Sequence, residues 1–243
     1  MNLRLAYLYP DLMNIYADRG NVECLVRRCE WRGLRLEVDR VYAGTEFDPA
    51  AVDLLFIGGG QDRQQQAASL DLSGRGGRLV RQAIDHGAVL LAVCGGYQLM
   101  SKRYIAADGS VLPGLGIFDL ETRHSGTKAP RCIGDVAIRW DGQKLVGFEN
   151  HGGRSYLGPD VEPLGTVISG YGNNGEDGTE GARHGRAYGT YLHGSLLPKN
   201  PHFADFLLEA ALQRREPGAK LEPLDDDEEW AAHRAALKKM RLG

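Results

Sequence analysis

The sequence predicts an α/β fold, a mostly parallel central sheet flanked by helices, with added β-hairpins and a C-terminal helix. Three observations carry this expectation. Short apolar runs alternate with helical periodicities up to Val93, the pattern of strands and crossover helices in a parallel sheet. From about residue 110 the texture changes to short β-like pieces punctuated by glycine. Beyond Pro217 an acidic run leads into an apolar spacing that ends in basic residues.

Taken in order, Leu3 to Leu8 is apolar enough for a buried strand, and Asn21 to Arg32 carries Val22, Leu25, Val26 and Cys29 at helical spacing before Gly33 stops it. Leu34 to Val38 alternates with charge like a strand near a sheet edge, and Asp53 to Ile57 is a short buried strand cut off by Gly58-Gly59-Gly60. After a polar stretch, Leu79, Val80, Ala83 and Ile84 mark a helix closed by Gly87, and Ala88 to Val93 is the most apolar strand. Val136 to Trp140, Leu145 to Glu149 and Thr166 to Ser169 read as hairpins grafted onto the main sheet, and Gly170 to Arg186 as a glycine-rich polar loop. The last strand is Ala187 to Leu192. A helix after Pro198 shows Phe203, Phe206, Leu207 and Ala210 on one face. Residues 1–215 are expected to form the main domain and 216–243 a C-terminal helical extension, read as a solvated amphipathic helix, with a docking element as the other reading.

At 243 residues the chain can bury roughly 70% or more of its unfolded surface, so its core needs no staples. A net charge of −3 with both signs spread along the chain offers no basic footprint for nucleic acid. No apolar run reaches the length of a membrane span, and Met1 to Pro10 lacks a signal peptide's apolar core and cleavage site, so no transmembrane segment and a cytoplasmic location are expected. The four cysteines are irregularly spaced, as reduced thiols are. Cys24, Cys29 and Cys132 lack ligand-pair spacing, so no metal site is expected.

The segment that carries chemistry is Ala92-Val93-Cys94-Gly95-Gly96-Tyr97-Gln98. A buried strand runs straight into a glycine pair and a helix-compatible stretch, with cysteine at the hinge. That is the steric logic of a nucleophile elbow, whose neighbours two residues either side must be small, as Ala92 and Gly96 are. Gly95 leaves its N–H free to face an oxyanion, and the following helix N-terminus is expected to lower the thiol pKa. A thiol nucleophile needs a proton shuttle, and Tyr188-Gly189-Thr190-Tyr191-Leu192-His193-Gly194 ends another strand in histidine. If the two strands are parallel neighbours, Cys94 and His193 emerge at the same carboxyl edge. His86 and His184 read as loop or helix-end residues, His233 as part of a solvated helix.

Four pieces together resemble the class I (triad) glutamine amidotransferases, in the branch shared by cobyric acid synthases and the GatD-type glutaminase subunits of lipid II isoglutaminyl synthases. They are Phe56-Ile57-Gly58-Gly59-Gly60-Gln61-Asp62, Val93-Cys94-Gly95-Gly96-Tyr97-Gln98, Gly147-Phe148-Glu149-Asn150-His151-Gly152-Gly153-Arg154 and Gly189-Thr190-Tyr191-Leu192-His193-Gly194. The resemblance implies a class I amidotransferase-like fold and a thioester at Cys94 formed from glutamine. It also implies that Gly60 and Gly95 supply oxyanion N–H groups, that Gln98 touches the glutamine, and that Arg131 binds it too. A planar, permanently charged guanidinium suits an α-carboxylate.

One departure stands out. Many class I enzymes place a glutamate two residues after the histidine; here Ser195 holds that position, and no acid occurs from Gly194 through Asn200. A carboxylate from a partner subunit would complete the triad on assembly. No Gly-x-x-x-x-Gly-Lys-Ser/Thr motif is present, so ATP-dependent carboxylate activation falls to another protein. The resemblance names that partner as a Mur-ligase-like (MurT-like) subunit carrying ATP and Mg, which amidates the D-glutamate of the lipid II stem peptide; lipid II is met through the partner, and no cofactor is expected in this chain. Two other readings fit the same residues: an amidotransferase subunit for cobyric acid or another cofactor synthetase, and a catalytically silent glutamine-binding relative.

Overall fold

The computed structural model describes residues 2–15, 18–126, 129–194 and 196–242. The chain opens with β1 (Asn2–Leu8), α1 (Arg19–Glu30), β2 (Arg35–Val41) and β3 (Leu54–Ile57), then α2 (Asp62–Leu72), α3 (Arg75–Asp85), β4 (Val89–Val93) and the short α4 (Gly95–Leu99). There follow β5 (Arg103–Ile105), β6 (Val111–Pro113), β7 (Leu120–His124), β8 (Cys132–Trp140), β9 (Gln143–His151), β10 (Gly153–Leu157), β11 (Gly165–Ser169), β12 (Thr179–Glu180), β13 (Ala182–His184) and β14 (Ala187–Thr190). A 3₁₀ turn (Leu197–Lys199), α5 (Pro201–Arg215) and α6 (Asp227–Lys239) close it.

The central sheet has the order β13-β14-β4-β3-β1-β2. Every pairing from β14 to β2 is parallel, and only β13 runs against its neighbour. Strands β3 and β4 are buried along their whole length, as continuous Leu/Ile/Val/Phe runs require when both faces of a parallel sheet are covered. The chain departs from β1 first to β2 on one side and then to β3 on the other, so the order reverses at β1. In open α/β sheets the crevice beyond the carboxyl ends at such a point is where ligands bind.

Two further four-stranded sheets, β10-β7-β5-β6 and β12-β11-β8-β9, stand apart from the central one. The glycine-punctuated pieces therefore build their own sheets, where an extension of the main sheet was expected; only β13 joins it. The expected loop between Gly170 and Arg186 contains β12 and β13 and buries Asn173, Asn174 and Glu180. Asn173 explains why: its amide donates to the Gly181 carbonyl at 2.9 Å and its oxygen accepts the Gly181 N–H at 3.0 Å, replacing ladder bonds that the glycines interrupt.

The C-terminal helix also departs from expectation. His233 and Leu237 are buried, and Leu237 packs with Ala137 and Val146 beside Met240. His233 Nδ1 lies 2.8 Å from the Lys199 carbonyl, so α6 touches the segment that follows His193. The tether is electrostatic. Arg28 of α1, 1% exposed, forks onto Asp205 at 2.7 Å and onto Asp226, just before α6, at 2.6 Å. None of the helices among the described residues is long and apolar enough to cross a membrane.

Removing Arg28 strips Asp226 of its cation and leaves Asp205 with Arg32 alone, 2.7 Å away. Arg28→Ala is expected to lower stability by about 3 kcal/mol in urea melts and to speed proteolytic cleavage between α5 and α6; unchanged cleavage kinetics would contradict the tether.

Candidate active site

Strand β4 delivers Cys94 to the carboxyl edge in a backbone conformation, φ 52 and ψ −109, that L-residues avoid. The turn is tight because the next chain segments leave no room. A Cβ on Gly96 would meet the Ile57 carbonyl at 2.7 Å and the Gly58 carbonyl at 2.8 Å. The Gly96 N–H donates to that Gly58 carbonyl at 3.0 Å, and the Cys94 N–H donates to the Thr190 carbonyl at 2.8 Å. Cys94 is thus pinned between the ends of β3 and β14, with its sulfur at a cleft of about 860 Å³.

Four of the six residues expected at the site line that cleft: Cys94, Gly60, Gln98 and Arg131. Gly95 lies directly beneath, since a Cβ there would meet Gly60 N at 2.9 Å; the two N–H groups expected to face an oxyanion are neighbours in space. The loop after β3 is held on all sides: Gly59 N–H by the Asp18 carboxyl at 2.6 Å, Gly59 O by Ile15 N–H at 3.2 Å, and Gly60 O by the Gln65 amide at 2.9 Å. Arg131 is exposed but aimed, its Nε donating to Asn150 Oδ1 at 2.9 Å and an Nη to the Asn150 carbonyl at 3.1 Å. Gln98 gives its amide to the Tyr191 hydroxyl at 3.1 Å.

His193 is fully buried. Parallel pairing of β14 with β4, Thr190 opposite Val93, brings its segment to the same sheet edge as Cys94. A backbone bridge to Phe148 fixes it, His193 N–H donating at 2.9 Å and Phe148 N–H at 3.2 Å in return. Burial, and second the nearby His151 ring, push the His193 imidazole down to about 4. Ser195, the residue in place of the familiar acid, lies outside the described residues.

The expected lowering of the Cys94 thiol is overturned. Burial, with Asp18 adding to it, pushes the thiol up to about 12, while the Gly95 N–H and Arg131 pull the other way. With only five residues, α4 offers a weak dipole against complete desolvation. Both shifts favour the uncharged forms, a thiol at Cys94 and a neutral imidazole at His193.

Sequence reasoning passed over Asp18, Gln65, His151 and Tyr191. His151 lies in the cleft wall, stacked on Tyr191 at 3.6 Å, with Nδ1 2.7 Å from the Gly153 carbonyl and Nε2 3.6 Å from Glu149. Its signal was its place in the Phe148 to Arg154 piece. Gln65 carries no local signal. Behind Tyr191, Glu180 is wholly buried, accepting the Tyr191 N–H at 2.6 Å and the Thr190 hydroxyl.

A strained cysteine beside the amides of Gly60 and Gly95, a buried histidine on the adjacent strand end and an aimed arginine are the parts that a thiol-dependent amide-hydrolysing site requires. Residues 4–201 match the family model described as the CobB/CobQ-like glutamine amidotransferase domain, and the chain belongs to that family: it is a glutamine amidotransferase. It is 43% identical, over 93% of its length and 90% of the relative's, to the lipid II isoglutaminyl synthase (glutamine-hydrolyzing) subunit GatD of Staphylococcus aureus. The protein of the same name from Streptococcus pneumoniae is 37% identical over 88% of this chain and 82% of its own. A cobyric acid synthase of Nocardia farcinica is 32% identical over 72% of this chain but only 34% of its own length. Among solved structures, PurLQS from Thermotoga maritima superposes with a TM-score of 0.63 at 15% identity, covering 89% of this chain and all of that one, which bears on the fold alone.

Burial holds the Glu180 carboxyl up to about 8, with the Tyr191 N–H and Thr190 hydroxyl opposing. A carboxyl that binds its proton more tightly when folded stabilises below its unfolded pKa, and that stability is lost as pH rises through the folded value. Melting temperature should therefore fall from about pH 5 to pH 8, and Glu180→Gln should fall less; parallel curves would refute the assignment.

Proposed function

We propose that this chain is the glutamine-hydrolysing subunit of a lipid II isoglutaminyl synthase. The observation that carries the reading is near-full-length similarity to the GatD subunits, joined to a cysteine elbow of matching chemistry. In the proposed reaction, Cys94 Sγ adds to the side-chain carboxamide carbon of glutamine as His193 takes the thiol proton. The carbonyl oxygen becomes negative between Gly60 N–H and Gly95 N–H. Collapse breaks the C–N bond, His193 returns the proton to the departing nitrogen, and ammonia leaves a glutamyl thioester. Water, deprotonated by His193, then releases glutamate. Arg131 grips the α-carboxylate and fixes which end of the substrate faces the sulfur.

The ammonia goes to a Mur-ligase-like partner, which supplies ATP and Mg and activates the D-glutamate α-carboxylate of the lipid II stem peptide; this chain brings no cofactor of its own. A carboxylate from that partner completes the triad with His193, so hydrolysis waits for assembly, and the complex works in the cytoplasm. The cobyric acid reading loses ground because those relatives are matched over only a third of their length.

Co-expression with a Mur-ligase-like protein, followed by mass analysis of stem peptides, should show glutamate converted to isoglutamine, and Cys94→Ala should abolish it. Full glutaminase activity of the isolated chain would sink the shared-triad part. Arg131→Lys should raise KM for glutamine about tenfold or more with a smaller change in kcat; an unchanged KM removes Arg131 from the substrate. In the isolated chain, nitrogen NMR should find the His193 ring neutral down to about pH 5, and titration near the ordinary histidine value would contradict the burial argument.

A further inference from the structure

The three glycines after β3 press against the segment between β1 and α1. A Cβ on Gly58 would meet the Met13 carbonyl at 2.6 Å and Asp18 Cβ at 3.0 Å, and one on Gly60 would meet Met13 Sδ at 2.5 Å. At the end of that segment stands Asp18, fully buried. Its position is that of a helix N-cap, and its carbonyl accepts the Asn21 N–H at 3.0 Å. An aspartate there ordinarily spends its carboxylate on its own helix's free N–H groups. This one makes no cap bond. Its Oδ2 reaches across to Gly59 N–H at 2.6 Å, while Oδ1 is buried and takes no hydrogen bond among the described residues.

Such a placement is unfavourable on three counts. The cap is forfeited, a carboxyl is buried with half its acceptors unused so that burial pushes it up to about 7, and when ionised it works against the Cys94 thiolate. What it secures is direction. In a trans peptide C=O and N–H point opposite ways. Ile15 N–H fixes the Gly59 carbonyl, so the N–H of the same peptide, which belongs to Gly60, points the other way, and Gly60 N lies beside Gly95. Asp18 fixes the preceding peptide through Gly59 N–H, and the Gln65 amide fixes the following one through Gly60 O. Gly60 N–H itself has no acceptor among the described residues.

We propose that Asp18 is a positioning residue for glutamine hydrolysis: it holds Gly59 N–H from inside the protein, so that Gly60 N–H stays aimed at the oxygen that becomes negative when Cys94 adds to glutamine. The inference rests on the glutaminase reading above and adds a residue that never touches substrate. Its effect falls on the transition state, because the ground-state carbonyl oxygen carries no full charge for the amide to meet.

The test compares Asp18→Ala with Asp18→Asn, which retains an acceptor for Gly59 N–H. Glutamine turnover is measured in the assembled complex, and alkylation of Cys94 by iodoacetamide, which needs no oxyanion, in the isolated chain. Asp18→Ala should lose about 100-fold in kcat with KM within about threefold. Its alkylation should be unchanged or faster, and Asp18→Asn should recover most of the turnover. The proposal is overturned if Asp18→Ala keeps kcat within about threefold, if turnover and alkylation fall together, or if the loss is in KM alone. Should the alanine variant not fold, amide exchange in the wild-type chain decides: Gly59 must be protected and Gly60 must exchange freely, and an unprotected Gly59 defeats the proposal. A Cys94→Ala chain that still hydrolysed glutamine would remove the oxyanion, and with it the glutaminase reading itself.

Discussion

The site depends on one backbone constraint, the left-handed turn at Cys94 between a fully buried strand and a one-turn helix. Holding a non-glycine residue there costs of order 1–3 kcal/mol, and the surrounding structure must over-determine it. It does so from both neighbouring strands: the Gly96 N–H is bound to the end of β3 and the Cys94 N–H to the end of β14. Those same two strand ends carry the glycine loop and His193. The bonds that hold the cysteine in its strained pose therefore also tie it to the glycine loop and to the strand that leads into His193.

What was readable in the sequence follows from how local each cause is. The turn at Cys94 could be read because its requirement, small residues at Ala92 and Gly96, lies within five consecutive letters. The apolar runs of β3 and β4 could be read because burial on both faces leaves no polar position. Helix α2 could not: its buried positions are Gln65, Ala68, Ser69 and Leu72, helically spaced but half of them polar. Glutamine at 65 faces inward to hold a carbonyl five residues back, and no hydrophobic count finds such a residue.

The same distinction accounts for the two reversals at the site and near it. A helix N-terminus lowers a thiol pKa, but how deeply the cysteine is buried depends on segments distant in the chain, the ends of β3 and β14 among them, and that burial outweighs it at Cys94. His233 belongs to a helix with a charged face, yet its partner is a carbonyl 34 residues earlier, reached because Arg28 draws the two ends of the chain together across 198 residues. Asp18 is a milder instance: its letter and place announce a cap, and only the distance to Gly59 shows that it serves another strand.

The burial of Cys94 bears on how it meets oxidants. Peroxides and disulfides attack thiolates, and exposed low-pKa cysteines are the ones converted to sulfenic acid. A cysteine that is 5% exposed, its thiol pushed up by burial, offers oxidants little. Under the proposed reaction, the residue on which turnover depends is therefore also the one that burial shields from oxidative damage between turnovers.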